Sequence, residues 1–189
     1  MLLFWDRGYE GTSFDDLIAA MRISPSSFYN SFTSKERLYQ EAIEAFQAQA
    51  AEGFLGDLAS GPDTKSAFAR VLERAAREFT APDHPRGCMI SLACTHGPPA
   101  LDGLHERLAG YRHAAQSAMA ARIRQGIAAG DVAPATDAEA LAGYYDALLR
   151  GMAVAARDGA NEARLRETAA IAMRAFPAAA RAGNPFPPP

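Results

Sequence analysis

The first 35 residues contain a group of hydroxyl, amide and ammonium side chains whose spacing could place them on one surface. These residues are Thr12, Ser13, Ser26, Ser27, Tyr29, Asn30 and Lys35. Hydroxyl and ammonium groups donate hydrogen bonds to phosphate oxygens, and Ser and Asn side chains can also reach the edges of bases. These residue types therefore favour contact with a nucleic acid if the local structure holds them on an exposed face.

The residues between these polar groups predict two short helices joined by a tight turn. Thr12 or Ser13 can cap the first helix, and Ser24 can cap the second, with Pro25 at its first helical position. Phe28 is expected to pack inward against the first helix, so the polar residues of the second helix face outward. Two short helices joined in this way form a helix-turn-helix, which lays its second helix in the DNA major groove.

The position of each polar residue predicts its role on DNA. Ser26, Ser27 and Asn30 lie on the second helix and are expected to read bases. Tyr29 lies nearer the wall of the groove, and Lys35 begins the next helix, so both are expected to hold the DNA backbone.

Residues 2–46 resemble the DNA-binding head of the TetR-type repressors. The matching positions are Gly8, Tyr9, Thr12, Ser13, the run from Ser24 to Tyr29, Phe32, Lys35 and Glu36. The resemblance implies that residues 25–30 form the groove-reading helix. It also implies phosphate contacts at Thr12, Ser13, Tyr29 and Lys35.

The head departs from the family pattern in several ways. Only Met1 to Arg7 precede Gly8, so we expect a truncated first helix. Arg22 replaces a frequent turn glycine, which predicts a positive φ there. Residues 1–46 contain four basic and seven acidic residues, a net charge of −3, where a DNA-binding surface normally has a basic footprint. We therefore expect a shallow salt dependence of DNA binding.

The composition of the whole chain is that of an ordinary globular protein. The 189 residues are 49% hydrophobic and carry a formal charge of −3, which argues against bulk coating of nucleic acid or membranes. No apolar run is long enough to cross a bilayer, and two cysteines indicate a reducing compartment, so we expect a cytoplasmic protein.

The periodicity beyond the head is helical throughout, and we predict an all-α fold with a helix-turn-helix head on a helical body. The predicted parts are a DNA-binding domain over residues 1–46, an effector-binding and dimerisation domain over residues 47–180 and a disordered Pro-rich tail over residues 181–189. A helix from Lys35 to about Gly53 is expected to join head and body. Asp137 is predicted to cap the penultimate helix, and the last helix is predicted to run from about Glu162 to about Phe176.

The run from Leu148 to Gly159 resembles the penultimate helix of the sensor half of TetR-type regulators. This resemblance implies a homodimer in which the last two helices of each chain form a four-helix bundle. The candidate interface residues are Tyr144, Leu148, Met152, Leu165 and Met173. The alternative is that the same apolar stripe packs only against its own chain.

A pocket for a small-molecule effector is expected among the middle helices. The candidate wall residues are Phe68, Leu72, Met89, Leu92, Tyr111 and Met119. Each of these residues also suits an ordinary core position, and their types do not identify the effector.

Catalytic and metal-binding chemistry is not indicated. The four histidines have no metal-ligand spacing, and no nucleophile–base arrangement or Gly-rich phosphate loop occurs, so we predict a protein that is not an enzyme and needs no cofactor or metal. Cys88 and Cys94 are predicted to share one helix, on which a spacing of six prevents a disulfide. They are either small buried hydrophobic residues or the sensor of a thiol-based switch.

The favoured interpretation is a dimeric, ligand-responsive DNA-binding regulator, most simply a repressor released from a palindromic operator by an effector. One alternative is a thiol-sensing regulator that uses Cys88 or Cys94. The other is a helical interaction protein that has lost DNA binding, which the acidic head and short first helix would explain.

Overall fold

The computed structural model describes residues 1–93 and 102–179. In this part of the chain the regular structure is helical, apart from one isolated bridge between Val132 and Ala178. The predicted all-α class is confirmed, with helices from the N-terminal head through the body. The predicted tail lies outside the described residues.

The head consists of three short helices and the first half of a long one. They are α1 (Leu2–Arg7), α2 (Phe14–Met21), α3 (Pro25–Phe32) and α4 (Lys35–Ala59). The order of short helix, turn and short helix in α2 and α3 is the predicted helix-turn-helix.

Side-chain caps define where the head helices begin. Ser13 caps α2 in a capping box: its hydroxyl accepts from the Asp16 amide, and its own amide donates to the Asp16 carboxylate. Ser24 caps α3 and Ser34 caps α4 through their hydroxyls, each of which accepts an amide N–H at 3.2 Å. Arg22 ends α2 at φ 56°, as its replacement of a turn glycine predicts.

The body contains the remaining helices of the described residues. They are α5 (Thr64–Glu78), α6 (Met89–Leu92), α7 (Asp102–Ala129), α8 (Ala138–Arg157) and α9 (Glu162–Arg174). The predicted cap of α8 is confirmed, since the Asp137 carboxylate accepts from two amides of the first turn at 3.0 and 3.1 Å.

The predicted end of α4 is wrong, the end of α9 lies two residues before the approximate prediction, and packing between helices explains both differences. Helix α4 continues to Ala59 instead of ending near Gly53, because Asp57 in its last turns pairs with Arg74 of α5. Helix α9 ends at Arg174, and Phe176 then turns into the body core, where its ring lies 5.6 Å from that of Phe68.

The buried apolar residues form two clusters. One fills the body between α5, α7, α8 and α9. The other lies under the head and includes Phe4, Phe28 and Ile43, but it also takes in Met89 of α6 and Leu108 of α7. The head therefore rests on α6 and the first half of α7, and its core is continuous with residues from the predicted body domain.

None of the helices in the described ranges is both long and apolar enough to cross a membrane. The same residues contain no group of three or more His, Cys, Asp or Glu side chains that could hold a metal ion.

Candidate nucleic-acid interface and internal cavities

Helix α3 presents a polar face away from the head core. Phe28 is fully buried, whereas Ser26, Ser27, Tyr29 and Asn30 are exposed, and we call these four residues the recognition face. The Tyr29 side chain is 56% exposed and its ring stacks on Phe14 at 5.3 Å, which holds it against the surface of the head. The recognition face carries no charge, so its binding chemistry is hydrogen bonding.

The serines and the asparagine of the recognition face differ in whether their side chains already have hydrogen-bond partners. Ser26 and Ser27 have their hydroxyls 3.0 Å from the Ser24 hydroxyl, so each has a partner within the first turn. Asn30 makes no hydrogen bond to another described residue, and its amide can therefore donate and accept freely.

Lys35 lies at the start of α4, beside α3. Its ammonium group sits 4.1 Å from the centre of the Tyr9 ring, a cation–π contact that orients the side chain. The Tyr9 hydroxyl donates to the Glu36 carboxylate, and this hydrogen bond lowers the pKa of Glu36. Tyr9 thus binds the carboxylate of Glu36, the residue next to Lys35, while the Lys35 side chain remains partly exposed.

Thr12 and Ser13, which the family motif places together as phosphate contacts, differ in exposure. Thr12 is fully buried, and its hydroxyl donates to the Gly8 carbonyl at 2.8 Å, so its side chain is a structural element of the head rather than an exposed phosphate donor. Ser13 is exposed, but its hydroxyl also serves the capping box with Asp16. Burial of Thr12 follows from packing against α1, from which the Leu3 carbonyl also faces it at 3.3 Å.

Arg22 is a candidate contact that the sequence reasoning considered only for its backbone. It lies exposed in the turn before α3, and it has no ion pair within the described residues. Several head carboxylates are paired, by contrast: Glu41 with Arg37 at 2.9 Å and Asp16 with Arg7 at 3.4 Å. This pairing offsets part of the acidic charge of the head.

A large cavity opens between the helices of the body. It has a volume of about 560 Å³, and α4, α5, α6, α7 and α8 contribute to its wall, as does Trp5 of α1. We call it the body cavity. Most of the wall is apolar. Its charged side chains include two ion pairs, Asp57 with Arg74 and Asp146 with Arg150.

The predicted pocket residues are divided among three places. Tyr111 and Met119 do line the body cavity. Phe68 and Leu72 lie instead in the closed body core, each 1% exposed, because their positions on α5 face α8 and α9. Met89 and Leu92 line a second cavity of about 300 Å³ beneath the head, here called the head cavity.

Residues of the head and body meet at Trp5 and Asp6. The Trp5 ring stacks on His84 of the body at 4.4 Å and lines both cavities. Arg157, the last residue of α8, donates to the Asp6 backbone carbonyl and lies 3.4 Å from its carboxylate. These aromatic and polar contacts help to fix helix α1 to the body.

Helix α8 carries an apolar stripe whose residues are exposed or only partly covered by the body core within the described chain. The stripe consists of Tyr144, Ala147, Leu148, Gly151, Val154 and Ala155, and we call it the outer stripe. Tyr144 is 47% and Val154 48% exposed, and Ile171 of the neighbouring α9 is 60% exposed.

Two of the predicted interface residues are not on that surface. Met152 and Leu165 are 2% and 1% exposed and belong to the body core, because they point from α8 and α9 toward α5. Met173 is partly buried at the edge of the same core. Tyr144 and Leu148 remain as predicted interface residues that reach the surface.

The predicted common helix for the two cysteines is wrong. Cys88 precedes α6, which ends at Leu92, and Ala93 has extended backbone angles. Cys94 lies outside the described residues. Cys88 has a free thiol of intermediate exposure and forms part of the wall of the body cavity.

Comparison with known families agrees with this architecture. Residues 1–42 match the family described as bacterial regulatory proteins, tetR family. Residues 66–173 match the tetracyclin repressor-like C-terminal domain, which covers the body helices from α5 to α9. The chain therefore belongs to the TetR family of transcriptional regulators and is not an enzyme.

Individual relatives are similar along nearly the whole chain. The HTH-type transcriptional repressor ComR of Escherichia coli K12 is 31% identical over 179 residues, which is 94% of this chain and 85% of ComR. A cysteine-substituted variant of the TetR family transcriptional regulator CifR, complexed with 26-bp double-strand operator DNA, is 36% identical, with a TM-score of 0.88 and coverage of 93% of this chain and 92% of CifR. A putative TetR regulator from Rhodococcus sp. RHA1 is 30% identical, with a TM-score of 0.65 and 94% coverage of both chains.

Proposed function

We propose that this regulator is a dimeric repressor that leaves a near-palindromic operator when a small molecule enters the body cavity. The observation that carries the proposal is that one residue belongs both to the head and to the wall of the body cavity. Trp5 belongs to α1 of the head, and its ring is also part of the cavity wall. A molecule bound in the cavity would contact the DNA-binding head directly.

The recognition face supports docking of α3 in the major groove. Asn30 is exposed and unpartnered within the described residues, so it suits a bidentate contact with a base edge. Ser26 and Ser27 are exposed in the first turn of α3 and suit further base contacts. Tyr29, Lys35, Ser13 and the newly identified Arg22 suit backbone phosphates. Thr12 would then act by holding α1 against α2.

The outer stripe supports a homodimer. Its small residues, Ala147, Gly151 and Ala155, permit close approach of a second helix, and Tyr144 and Val154 would lose their exposed apolar surface. A two-fold dimer presents two copies of α3, and such a pair fits half-sites one helical turn apart.

Release would follow from differential affinity for two head positions. An effector that contacts Trp5 and binds better when α1 is displaced would favour the displaced state. The contact of Arg157 with Asp6 joins α8 to α1. Displacement of α1 would therefore also shift α8, the helix that carries the proposed dimer interface. The spacing of the two recognition helices would then no longer match successive major grooves.

DNA binding and molecular mass test the operator and the dimer of this proposal. The intergenic DNA on both sides of the gene should contain an inverted repeat that the protein retards at nanomolar concentration. Light scattering should give a mass of two chains alone and two chains per duplex. A monomer on DNA, or no preference for the repeat over its scrambled sequence, would contradict the proposal.

A thiol switch is the second candidate, because Cys88 lies in the cavity wall and has a free thiol. In that case mild peroxide or an electrophile would release wild-type protein from the operator and leave the Cys88→Ser variant bound. Our proposal expects both proteins to behave alike under peroxide, because a bound molecule rather than the thiol operates the switch.

A further inference from the structure

The three arginines of the body cavity differ in their charge partners. The Arg74 guanidinium pairs with Asp57, and the Arg150 guanidinium pairs with Asp146. Arg112 of α7 makes no ion pair within the described residues, and its Nη1 has only the Ile90 carbonyl oxygen, at 3.4 Å. It is therefore the arginine of the wall whose charge is not balanced by a carboxylate.

Arg112 and Arg150 lie close enough to affect each other. Burial lowers the pKa of Arg112, and the charge of Arg150 lowers it further, while Asp146 partly opposes both effects. An arginine remains protonated at neutral pH even so. Two guanidinium groups therefore share the one carboxylate of Asp146, and this part of the cavity has an excess positive charge.

The same region contains a donor without an acceptor. The Nε atom of Arg150 is buried and has no hydrogen-bond partner. Guanidinium groups present paired donors in a planar fork, which matches the two oxygens of a carboxylate or the oxygens of a phosphate. Arg112 is partly exposed and has no carboxylate paired with it, so an anionic group beside it would supply charge-assisted hydrogen bonds that the chain itself does not provide.

We propose that the effector is an amphipathic acid whose anionic group binds Arg112 and Arg150 while its apolar part fills the body cavity. This inference rests on the proposed function, because it names the chemical class of the molecule that the cavity admits. The apolar wall includes Phe54, Val71, Ile90, Met119 and Leu149, and none of these side chains can hydrogen-bond a polar ligand.

The size of the cavity fits such a molecule. About 560 Å³ lies within the range of roughly 300–1,000 Å³ found for small-molecule sites. Trp5 is the single tryptophan of the chain and lines the cavity, so its fluorescence reports on occupancy.

The test uses three probes of equal chain length with different head groups, namely decanoate, decanol and decylamine. Binding is measured by calorimetry and by Trp5 fluorescence, below the concentrations at which the probes aggregate. We expect decanoate to bind at least about tenfold more tightly than decanol, as charged hydrogen bonds typically provide, and decylamine to bind most weakly.

Variants of two arginines on the same helix identify the binding group. Arg112→Gln should reduce decanoate affinity about tenfold or more and leave decanol affinity unchanged. Arg112→Lys keeps the charge and should retain the preference for decanoate. Arg124→Gln is the matched control: Arg124 is on α7 and pairs with Glu139, outside the cavity wall, so its loss should change neither affinity.

Each contrary result overturns the inference. Equal affinity for decanoate and decanol, an unchanged decanoate affinity in Arg112→Gln, or no binding of any probe would exclude an amphipathic acid of this kind. Thermal melting of the variants separates loss of the site from loss of the fold. Operator binding without any probe is measured in parallel, so that a failed regulator and a wrong effector class give different results.

Discussion

The head and the body build their candidate sites in different ways. The recognition face comes from one helix of eight residues, and its exposed members lie within five positions of each other. The body cavity draws its wall from five helices, α4 to α8, and from Trp5, across a sequence span from Trp5 to Arg150. Both regions are helical and both belong to the same fold.

This difference determines what a residue pattern can reveal. In α3, the helical period alone separates buried Phe28 from exposed Asn30, because neighbouring residues on one helix have known relative directions. In the body, apolar residues recur at helical spacing along several helices. Only the arrangement of these helices decides which of the apolar residues face a cavity.

The first prediction compares two residues of α8 that are two positions apart. Met152→Asp buries a carboxylate in the body core and should reduce the free energy of unfolding by at least about 3 kcal/mol in urea titrations. Val154→Asp lies on the outer stripe and should leave the monomer folded while reducing the light-scattering mass to one chain.

Leu2→Asp is the control for this pair, since it adds the same charge at an apolar residue that is 51% exposed but lies in the head. It should leave the dimer intact. A dimeric Val154→Asp variant would show that the outer stripe is not the interface.

The second prediction concerns base reading by the head. Asn30→Ala should weaken binding to the cognate operator by roughly 1–3 kcal/mol and have little effect on a scrambled duplex, because the contact is with base edges. Fluorescence anisotropy on both duplexes measures the difference. Equal weakening on the two duplexes would assign Asn30 to the backbone instead.

The third prediction concerns backbone contact. Lys35→Ala should weaken specific and non-specific binding alike and lower the slope of log K against log salt by about one. Lys65→Ala removes the chain's other lysine, which is exposed on α5 far from α3, and it should change neither quantity. The slope of the wild type should itself be shallow, since α3 carries no charge. If Lys65→Ala had the same effect as Lys35→Ala, net charge rather than docking would explain the result.

The fourth prediction tests how much the capping box of α2 contributes to the stability of the head. Ser13→Ala removes the hydroxyl that caps α2 and should cost about 1 kcal/mol of stability by urea denaturation. Ser117→Ala, an exposed serine on α7, is the control and should cost less than half as much. Equal losses would mean that the capping box adds nothing.

The smallest effect is a pH dependence at Asp16. Hydrogen bonds from the Ser13 hydroxyl and amide lower the pKa of Asp16, with a further contribution from Arg7. A lowered folded-state pKa means that the stabilisation is complete above the unfolded value, about 3.9, and is lost as the pH falls through the lower folded value. The stability difference between wild type and Asp16→Asn should therefore shrink below about pH 4. A difference that stays constant down to pH 2 would contradict this.

Much of the head was predictable because its signals are local. The caps Ser24 and Ser34, Pro25 at the start of α3 and the positive φ of Arg22 all follow from neighbouring residues. Burial of Thr12 was not predictable, since it depends on α1 closing over it. The phosphate role that the family motif implies for this position conflicts with its 0% exposure.

The body site was predictable only in outline. Tyr111 and Met119 line the cavity, but Phe68 and Leu72 do not, and no periodicity separates the two pairs. Arg112 and Arg150 were missed, although an arginine on an otherwise apolar helix face is a signal that could have pointed to them. The extension of α4 to Ala59 depends on the pairing of Asp57 with Arg74, which are 17 positions apart.

The amino-acid order alone was sufficient for the helical class and the helix-turn-helix, because caps, turns and helical periods act between residues a few positions apart. The family followed from the resemblance of the head motif to that of TetR-type repressors. Three-dimensional packing decided which apolar residues line the cavity, which lie on the outer stripe, and that Trp5 joins the head to the cavity wall. These properties depend on contacts between residues distant in the chain, such as Trp5 with His84 and Asp6 with Arg157, and no local pattern encodes them.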